Sequence, residues 1–179
     1  MRPRVLVIPG WGDSGPEHWQ SLWEKANPDF QRVVQRDWLY PICSEWVETL
    51  ATGIRAAGGP VVLVAHSLGC LAIAHGVREA SLPDRSIRGA LLVAPPDVER
   101  PDFPPVLEGF APIPRARLPF LSIVVASRDD PFSELARAQA LATAWGSRFV
   151  DVGAHGHINA DAGFGPWPLG ERLLDELRG

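Results

Sequence analysis

The amino-acid sequence predicts a three-layer α/β fold, in which helices cover both faces of a parallel sheet. Short runs rich in Val, Ile and Leu alternate along the chain with helical stretches, and this order of elements builds such a fold. Several runs are apolar at consecutive positions, as at residues 61–65. A strand that is buried on both faces needs this pattern, whereas a half-exposed strand alternates apolar and polar residues.

The elements follow in regular order along the 179 residues, which fit one domain spanning residues 1–179. We predict six strands, at residues 5–8, 33–36, 61–65, 89–94, 121–126 and 148–152. Five helices are predicted at residues 16–26, 44–57, 68–80, 131–145 and 167–177. Two of the helix starts carry end signals, because Pro16 lies in a first turn and Ser44 is a favoured N-cap residue.

The segment between the fourth and fifth predicted strands interrupts this alternation. It is 26 residues long and contains eight prolines. A loop of this length in a compact domain is usually functional or disordered. Its apolar residues are sufficient to pack, so we expect an ordered flap. Its Phe103 and Phe110, together with Trp11 and Phe132, are expected to line a shallow apolar groove.

Charge and cysteine content argue against several classes of protein. The net charge is −4, and the sixteen Arg and the single Lys25 form no run, which argues against a nucleic-acid-binding protein. No apolar run approaches the roughly 18 residues of a membrane span, and no leader-like segment precedes the first strand. Two cysteines are too few for a disulfide scaffold, so we expect a cytoplasmic protein.

A serine follows the third predicted strand and directly precedes a helix. Ser67 comes after the buried run, and the helix is predicted to begin at Leu68. This arrangement resembles the nucleophile elbow of α/β-hydrolases, G-x-S-x-G, in which a sharp, strained turn exposes the serine hydroxyl. Gly69 fits the pattern, while Ala65 stands in place of the first glycine. The alternative is a plain N-cap serine, since serine is a favoured capping residue.

Candidate carboxylates and bases follow in the chain order of α/β-hydrolases, Ser, then Asp, then His. Asp129 and Asp130 come after the fifth predicted strand, and His155 and His157 come after the sixth. Ligands bind at the carboxyl ends of the strands in open α/β sheets, so these side chains should lie near Ser67. We expect one aspartate to face the histidine, while the other could cap the following helix. Only one of the two histidines is expected to reach the serine.

The turn after the first predicted strand nearly matches a dinucleotide-binding motif. Residues 10–15 read Gly-Trp-Gly-Asp-Ser-Gly, and Asp37 lies near the position of an acidic ribose ligand. However, bulky Trp11 and acidic Asp13 would crowd and repel a pyrophosphate. We therefore favour an oxyanion-hole loop, in which the backbone N–H of Trp11 acts beside that of Leu68.

Four short segments of the chain are distinctive. They are residues 9–19 (Pro-Gly-Trp-Gly-Asp-Ser-Gly-Pro-Glu-His-Trp), 65–69 (Ala-His-Ser-Leu-Gly), 129–132 (Asp-Asp-Pro-Phe) and 156–159 (Gly-His-Ile-Asn). Together they resemble the small serine hydrolases of the retinoblastoma-binding protein 9 / YdeN type. In that family the second aspartate and the histidine after glycine serve in the triad, so the resemblance implies Asp130 and His157. The resemblance also implies a minimal fold that has no large cap domain and an activity that needs neither a metal nor a coenzyme.

The sequence therefore predicts an α/β-hydrolase with six parallel strands in the spatial order 2-1-3-4-5-6. We expect a carboxylesterase-like serine hydrolase whose Ser67 attacks a small ester, thioester or amide. His157 would be the base, Asp130 would orient it, and the Leu68 and Trp11 N–H groups would hold the oxyanion. Two alternatives are a protein-interaction module with little turnover and a cofactor-free acyltransferase or perhydrolase. A small acyl compound is the expected partner, with no nucleic acid and no membrane.

Overall fold

Six parallel strands form the centre of the molecule. The computed structural model describes residues 2–179. Its strands are β1 (Arg4–Ile8), β2 (Phe30–Arg32), β3 (Val61–His66), β4 (Ile87–Val93), β5 (Leu121–Ala126) and β6 (Arg148–Asp151). Their order across the sheet is β2-β1-β3-β4-β5-β6, and each neighbouring pair is parallel. The predicted strand order is confirmed.

Five helices cover the two faces of the sheet. They are α1 (Trp19–Ala26), α2 (Cys43–Ala56), α3 (Leu68–Arg78), α4 (Leu135–Trp145) and α5 (Pro168–Arg178). Side chains of α2, α3 and α4 share one core with Leu63 of β3, while α1 and α5 share the other with Val62 and Val64. Successive residues of a strand point to opposite faces, so the continuous apolar run in β3 supplies both cores.

The second strand lies three residues earlier than the sequence predicts. Residues 33–36 were expected to form it, but β2 is Phe30–Arg32, and Phe30 pairs with Val5 of β1. Phe30 is buried in the core beside α1, whereas Val34 is 65% exposed. The apolar pair Val33-Val34 therefore does not mark the second strand. Packing of Phe30 at the edge of the sheet decides which residues of this segment pair with β1.

Two helices begin later than predicted. Helix α1 begins at Trp19 rather than Pro16, because His18 is its N-cap and accepts a hydrogen bond from the Gln20 N–H. Helix α4 begins at Leu135 rather than residue 131. The residues before it form a turn in which Asp130 accepts a hydrogen bond from the Phe132 N–H at 2.9 Å. The N-cap bond of His18 sets the start of α1, whereas Glu134, the N-cap of α4, makes no side-chain cap hydrogen bond.

The proline-rich segment between β4 and β5 packs against the body of the fold. Its Phe110 is fully buried, and its Leu118 N–H donates to the Trp145 carbonyl of α4 at 3.0 Å. The Trp145 indole N–H donates in return to the Pro114 carbonyl at 2.8 Å. The flap is therefore ordered, as expected, and within residues 2–179 no helical cap is inserted between β4 and β5. Among residues 2–179, no helix has the length and apolar content of a membrane span.

The register of the sheet brings the carboxyl ends of β3, β4, β5 and β6 to one edge. His66 pairs with Val93, and Ala126 pairs with Asp151. The Ser67 N–H then donates to the Val93 carbonyl at 2.8 Å, which continues the ladder by one residue beyond β3. The loops that follow these strands therefore converge around Ser67.

The contact between α3 and the end of β1 has no room for a side chain at Gly69. A Cβ at Gly69 would lie 2.5 Å from the Ile8 carbonyl oxygen and 2.8 Å from that of Pro9. We predict that Gly69→Ala lowers the free energy of unfolding by about 2 kcal/mol despite the higher helix propensity of alanine, because backbone must move. Urea unfolding measures this. Gly15→Ala is the control, since nothing lies within 4 Å of that position, and wild-type stability of Gly69→Ala would contradict the close contact.

Candidate active site

Ser67 occupies a strained turn between β3 and α3. Its backbone angles are φ 53° and ψ −124°, a left-handed conformation that non-glycine residues rarely adopt. This turn reverses the chain within one residue, so the hydroxyl lies outside the sheet edge while the N-terminus of α3 begins directly behind it. The elbow predicted from the sequence is therefore present, and Ser67 does not cap α3 through its side chain.

His157 contacts the Ser67 hydroxyl from the loop after β6. Its Nε2 lies 2.9 Å from Ser67 Oγ. The residues on either side of His157 have positive φ, 52° at Gly156 and 49° at Ile158, so the ring is presented by a tight and strained loop. The Trp19 indole N–H donates to the Ile158 carbonyl at 2.9 Å and holds this loop on α1. His155 is exposed and packs against Phe164 instead.

Asp130 contacts the other ring nitrogen of His157. Its two carboxylate oxygens lie 3.0 and 2.9 Å from Nδ1, and both side chains are largely buried. An ionised carboxylate only accepts hydrogen bonds, so Nδ1 carries the proton and Nε2 is free to accept one from the serine hydroxyl. Asp130, His157 and Ser67 thus form one continuous line of hydrogen bonds.

Asp129 does not cap a helix, although we expected a capping role for the aspartate that does not face the histidine. It accepts hydrogen bonds from the Ser127 hydroxyl and the Gly156 N–H, both at 2.8 Å. These two donors lower the pKa of Asp129, with the Ser127 hydroxyl contributing most. Because Gly156 directly precedes His157, Asp129 supports the histidine loop through its backbone. The sequence does not reveal this role, since it depends on how two distant loops meet.

The loop after β1 lies directly against the elbow. A Cβ at Gly10 would lie 2.8 Å from Ser67 Cβ and 3.2 Å from the Leu68 nitrogen, so only glycine fits there. The next residue is Trp11, and neither its N–H nor that of Leu68 donates to a protein acceptor within residues 2–179. Two neighbouring backbone donors therefore lie beside the serine, which is the arrangement that holds a negatively charged oxygen.

Asp37, which lies near the position of the acidic ribose ligand in a dinucleotide-binding motif, has a structural role. Its carboxylate accepts hydrogen bonds from the Leu39 and Tyr40 N–H groups, which lower its pKa. The Trp11 indole N–H donates to the Leu39 carbonyl at 2.9 Å. Asp37 and Trp11 thus shape the loop beside the cavity.

Two further histidines are buried beside His157. The ring of His66 lies 4.8 Å from that of His157 and 4.7 Å from that of His18. The His66 Nε2–H donates to the His157 backbone carbonyl at 2.8 Å, which joins the elbow to the histidine loop. Burial lowers the pKa of His66 well below its usual value. Burial, Arg32 and His157 lower the pKa of His18 to about 4, so His18 and His66 are neutral at pH 7.

A cavity of about 210 Å³ opens in front of Ser67. Apolar side chains form most of its wall: Trp11, Leu68, Pro96, Phe103, Leu107 and Phe132. The expected groove is therefore present except for Phe110, which was predicted to line it. Phe110 packs instead in the core against Trp46 and His75, because the flap turns inward there. A larger depression of about 1150 Å³ near the amino ends of β4 and β5 contains no histidine.

Within the described residues, no group of three or more His, Cys, Asp or Glu side chains is arranged to hold a metal ion. Cys43 and Cys70 are buried free thiols. Burial raises the pKa of Cys43 to about 12 and shifts that of Cys70 in the same direction, so neither thiol forms a nucleophilic thiolate at neutral pH. Ser67 is thus the nucleophile candidate at this edge of the sheet.

The strand order, the elbow after β3 and the loops that converge on it define an α/β-hydrolase fold. Comparison with known families then places the sequence more closely. A family model described as serine hydrolase matches residues 5–176, and the chain belongs to this family. A search of the curated proteins gave no match.

Solved structures agree with this assignment. A YdeN-like hydrolase from Pectobacterium atrosepticum is 37% identical, with a TM-score of 0.85, over 99% of this chain and 91% of that one. The ydeN gene product of B. subtilis is 23% identical, with a TM-score of 0.76, over 98% of both chains. A thermophilic esterase from Thermogutta terrifontis is 16% identical, with a TM-score of 0.69, over 99% of this chain and 91% of that one. The last two support the fold alone.

The buried neutral histidines predict that stability falls in mild acid. The unfolded chain binds a proton at His18 below about pH 6.5, but the folded chain binds it only near pH 4. The stabilisation is therefore fully present above pH 6.5 and is lost as pH falls towards 4. For His18 the loss between pH 7 and pH 5 is about 2 kcal/mol.

Urea unfolding at both pH values measures this loss. The matched control is His18→Ser, because serine retains an N-cap acceptor for the Gln20 N–H but does not titrate. The free energy of unfolding should fall between pH 7 and pH 5 by about 2 kcal/mol less in the variant than in wild type. An identical pH dependence in the two proteins would contradict the lowered pKa of His18.

Proposed function

We propose that the protein is a carboxylesterase-like serine hydrolase that cleaves small esters, thioesters or amides through an acyl-enzyme on Ser67. The observation that carries the proposal is the continuous line of hydrogen bonds from Asp130 through His157 to Ser67. A serine hydroxyl is a weak nucleophile unless a base takes its proton, and the base acts only when a third group holds it in the correct tautomer.

In the proposed reaction, Ser67 Oγ forms a bond to the substrate carbonyl carbon as its proton passes to His157 Nε2. The Leu68 and Trp11 N–H groups hold the oxyanion of the tetrahedral intermediate. Collapse of the intermediate breaks the bond to the leaving group, which takes the proton from His157. Water then attacks the acyl carbon as His157 takes its proton, and the bond between Ser67 Oγ and the acyl group breaks as that proton passes to Oγ, which releases the carboxylic acid. Asp130 holds the ring and stabilises the imidazolium in both steps.

The size of the cavity supports small substrates. Ligand pockets for drug-sized molecules have volumes of about 300–1,000 Å³, and the cavity before Ser67 has about 210 Å³. Flap residues including Phe103 form part of its wall, and the flap is joined to the body of the fold by the Asp97 N–H, which donates to the Phe132 carbonyl at 2.9 Å. Short acyl groups therefore fit this space better than long chains.

A fluorophosphonate probe tests the proposal directly. We predict that it labels the native protein once, at Ser67, although the chain has ten serines, because among residues 2–179 only the Ser67 hydroxyl lies within hydrogen-bond distance of a histidine ring nitrogen. Heat-unfolded protein and folded Ser67→Ala should remain unlabelled. Labelling of folded Ser67→Ala would contradict the assignment of the nucleophile. Labelling of wild type without turnover of any p-nitrophenyl ester would favour the interaction module, and transfer to an added alcohol or peroxide would favour the acyltransferase.

The paired residues allow a matched test of the other two roles. We predict that Asp130→Asn lowers kcat by about 10⁴-fold, as expected when the orienting carboxylate is neutralised. Asp129→Asn keeps an amide oxygen that can accept from the Ser127 hydroxyl and the Gly156 N–H, which both bond the same carboxylate oxygen, and should cost less than about tenfold. His157→Ala should be almost inactive. Steady-state hydrolysis of p-nitrophenyl acetate by folded variants measures these effects.

His155→Ala is the control for the histidine, because His155 is exposed and does not contact Ser67. It should retain most of the wild-type activity. The assignment is wrong if Asp129→Asn or His155→Ala loses more activity than the corresponding change at Asp130 or His157.

A further inference from the structure

His18 has a hydrogen-bond donor that no residue among 2–179 uses. Its other ring nitrogen, Nδ1, forms a structural hydrogen bond, because it accepts from the Gln20 N–H at 3.1 Å. An imidazole nitrogen that accepts carries no proton, so in the neutral ring the proton is on Nε2. That Nε2 is buried and has no hydrogen-bond partner among residues 2–179. A buried donor left without an acceptor is unfavourable, because it loses its hydrogen bond to water without a replacement.

The position of His18 connects this unused donor to the candidate active site. The side chain is only 5% exposed, and it lines the same cavity as Ser67 and His157. The ring is held from two sides, by the cap at the start of α1 and by the His66 ring 4.7 Å away. The His18 ring is therefore held in place in the wall of the cavity that Ser67 and His157 also line.

The rest of the cavity wall indicates the chemistry of the missing acceptor. The wall is mostly apolar and contains no Lys or Arg among the described residues. Its single carboxylate, Asp13, is 2.7 Å from the Arg32 guanidinium. Asn159 also lines the cavity, and its amide oxygen accepts from the Ala162 N–H, so its amide N–H groups are further donors. Neutral donors in an apolar wall favour a neutral oxygen acceptor, such as an ether, a ketone or a hydroxyl, over a carboxylate or phosphate.

We propose that His18 is a specificity-determining residue whose Nε2–H donates a hydrogen bond to a neutral oxygen of the substrate other than the scissile carbonyl. The inference rests on the proposed hydrolase function and deepens it, because it narrows the substrate class to short esters, thioesters or amides that carry a second oxygen. That oxygen can belong to the acyl group or to the leaving group, and the two sources are separated by experiment.

Two pairs of esters test the proposal, and each pair differs by one oxygen in place of one methylene. The acyl pair is p-nitrophenyl methoxyacetate and p-nitrophenyl butyrate. The leaving-group pair is 2-methoxyethyl butyrate and n-butyl butyrate. For each pair the ratio of kcat/KM is divided by the ratio of the hydroxide-catalysed rates, which removes the difference in intrinsic reactivity. Wild type should prefer the oxygen-containing ester of one pair by roughly tenfold, the value of one neutral hydrogen bond at a site built for it.

Two variants remove the donor in different ways. His18→Ser retains an N-cap acceptor and loses the ring, whereas His18→Phe retains a ring of similar size and loses both nitrogens. Circular dichroism and urea unfolding show which variants are folded. In either folded variant the normalised preference should fall to about one, and the loss should come from the oxygen-containing ester alone.

The outcomes separate the inference from the function on which it rests. Equal loss of kcat/KM for both members of each pair would overturn the specificity role, because a purely structural residue or an oxyanion donor would act on both alike. A wild type that hydrolyses all four esters without a preference would also overturn it and would leave the hydrolase function intact. Failure of wild type to hydrolyse any ester or to react with the fluorophosphonate would instead reject the function.

Discussion

The close contact between the end of β1 and the turn at Ser67 is the constraint on which the site depends. Ser67 has a left-handed backbone, so α3 turns back under the loop that follows β1. Gly10 and Gly69 meet backbone on either side of that contact, and a Cβ at either position would lie within 3 Å of its neighbours. The same approach that strains the serine places the Trp11 and Leu68 N–H groups beside it. The serine hydroxyl and the two backbone donors are therefore brought together by one packing contact.

The histidine loop depends on a second set of contacts, which come from parts of the chain far from it in sequence. The Trp19 indole holds the Ile158 carbonyl, the His66 ring holds the His157 carbonyl, and Asp129 holds the Gly156 N–H. Positive φ at Ile158 is unfavourable for a β-branched residue and persists only because the surroundings hold it. Strain at a functional loop is thus balanced by three hydrogen bonds that do not take part in the chemistry.

The interior beside the site is built from neutral histidines rather than charged groups. His18 and His66 remain neutral because burial disfavours the imidazolium. Both rings hold neighbouring backbone, since His66 donates to the His157 carbonyl and His18 accepts from the Gln20 N–H. The flap completes this apolar environment, since Phe103 and Leu107 line the cavity while Phe110 fixes the segment in the core.

Local patterns along the chain were enough to predict the alternating strands and helices, the elbow at Ser67 and the candidate acid and base loops, and the resemblance to α/β-hydrolases supplied the order of the strands. Such patterns report burial and turn geometry, which act between residues close in sequence. They misplaced β2 and Phe110, because both depend on which apolar residue fills a core formed by distant elements. They also left the neighbouring aspartates and histidines unresolved, and the family resemblance supplied Asp130 and His157. Packing of the loops after β5 and β6 brings those two side chains together and directs Asp129 to Gly156. The His18 Nε2–H has no partner among residues 2–179. These features depend on long-range contacts and on backbone angles that no short segment specifies.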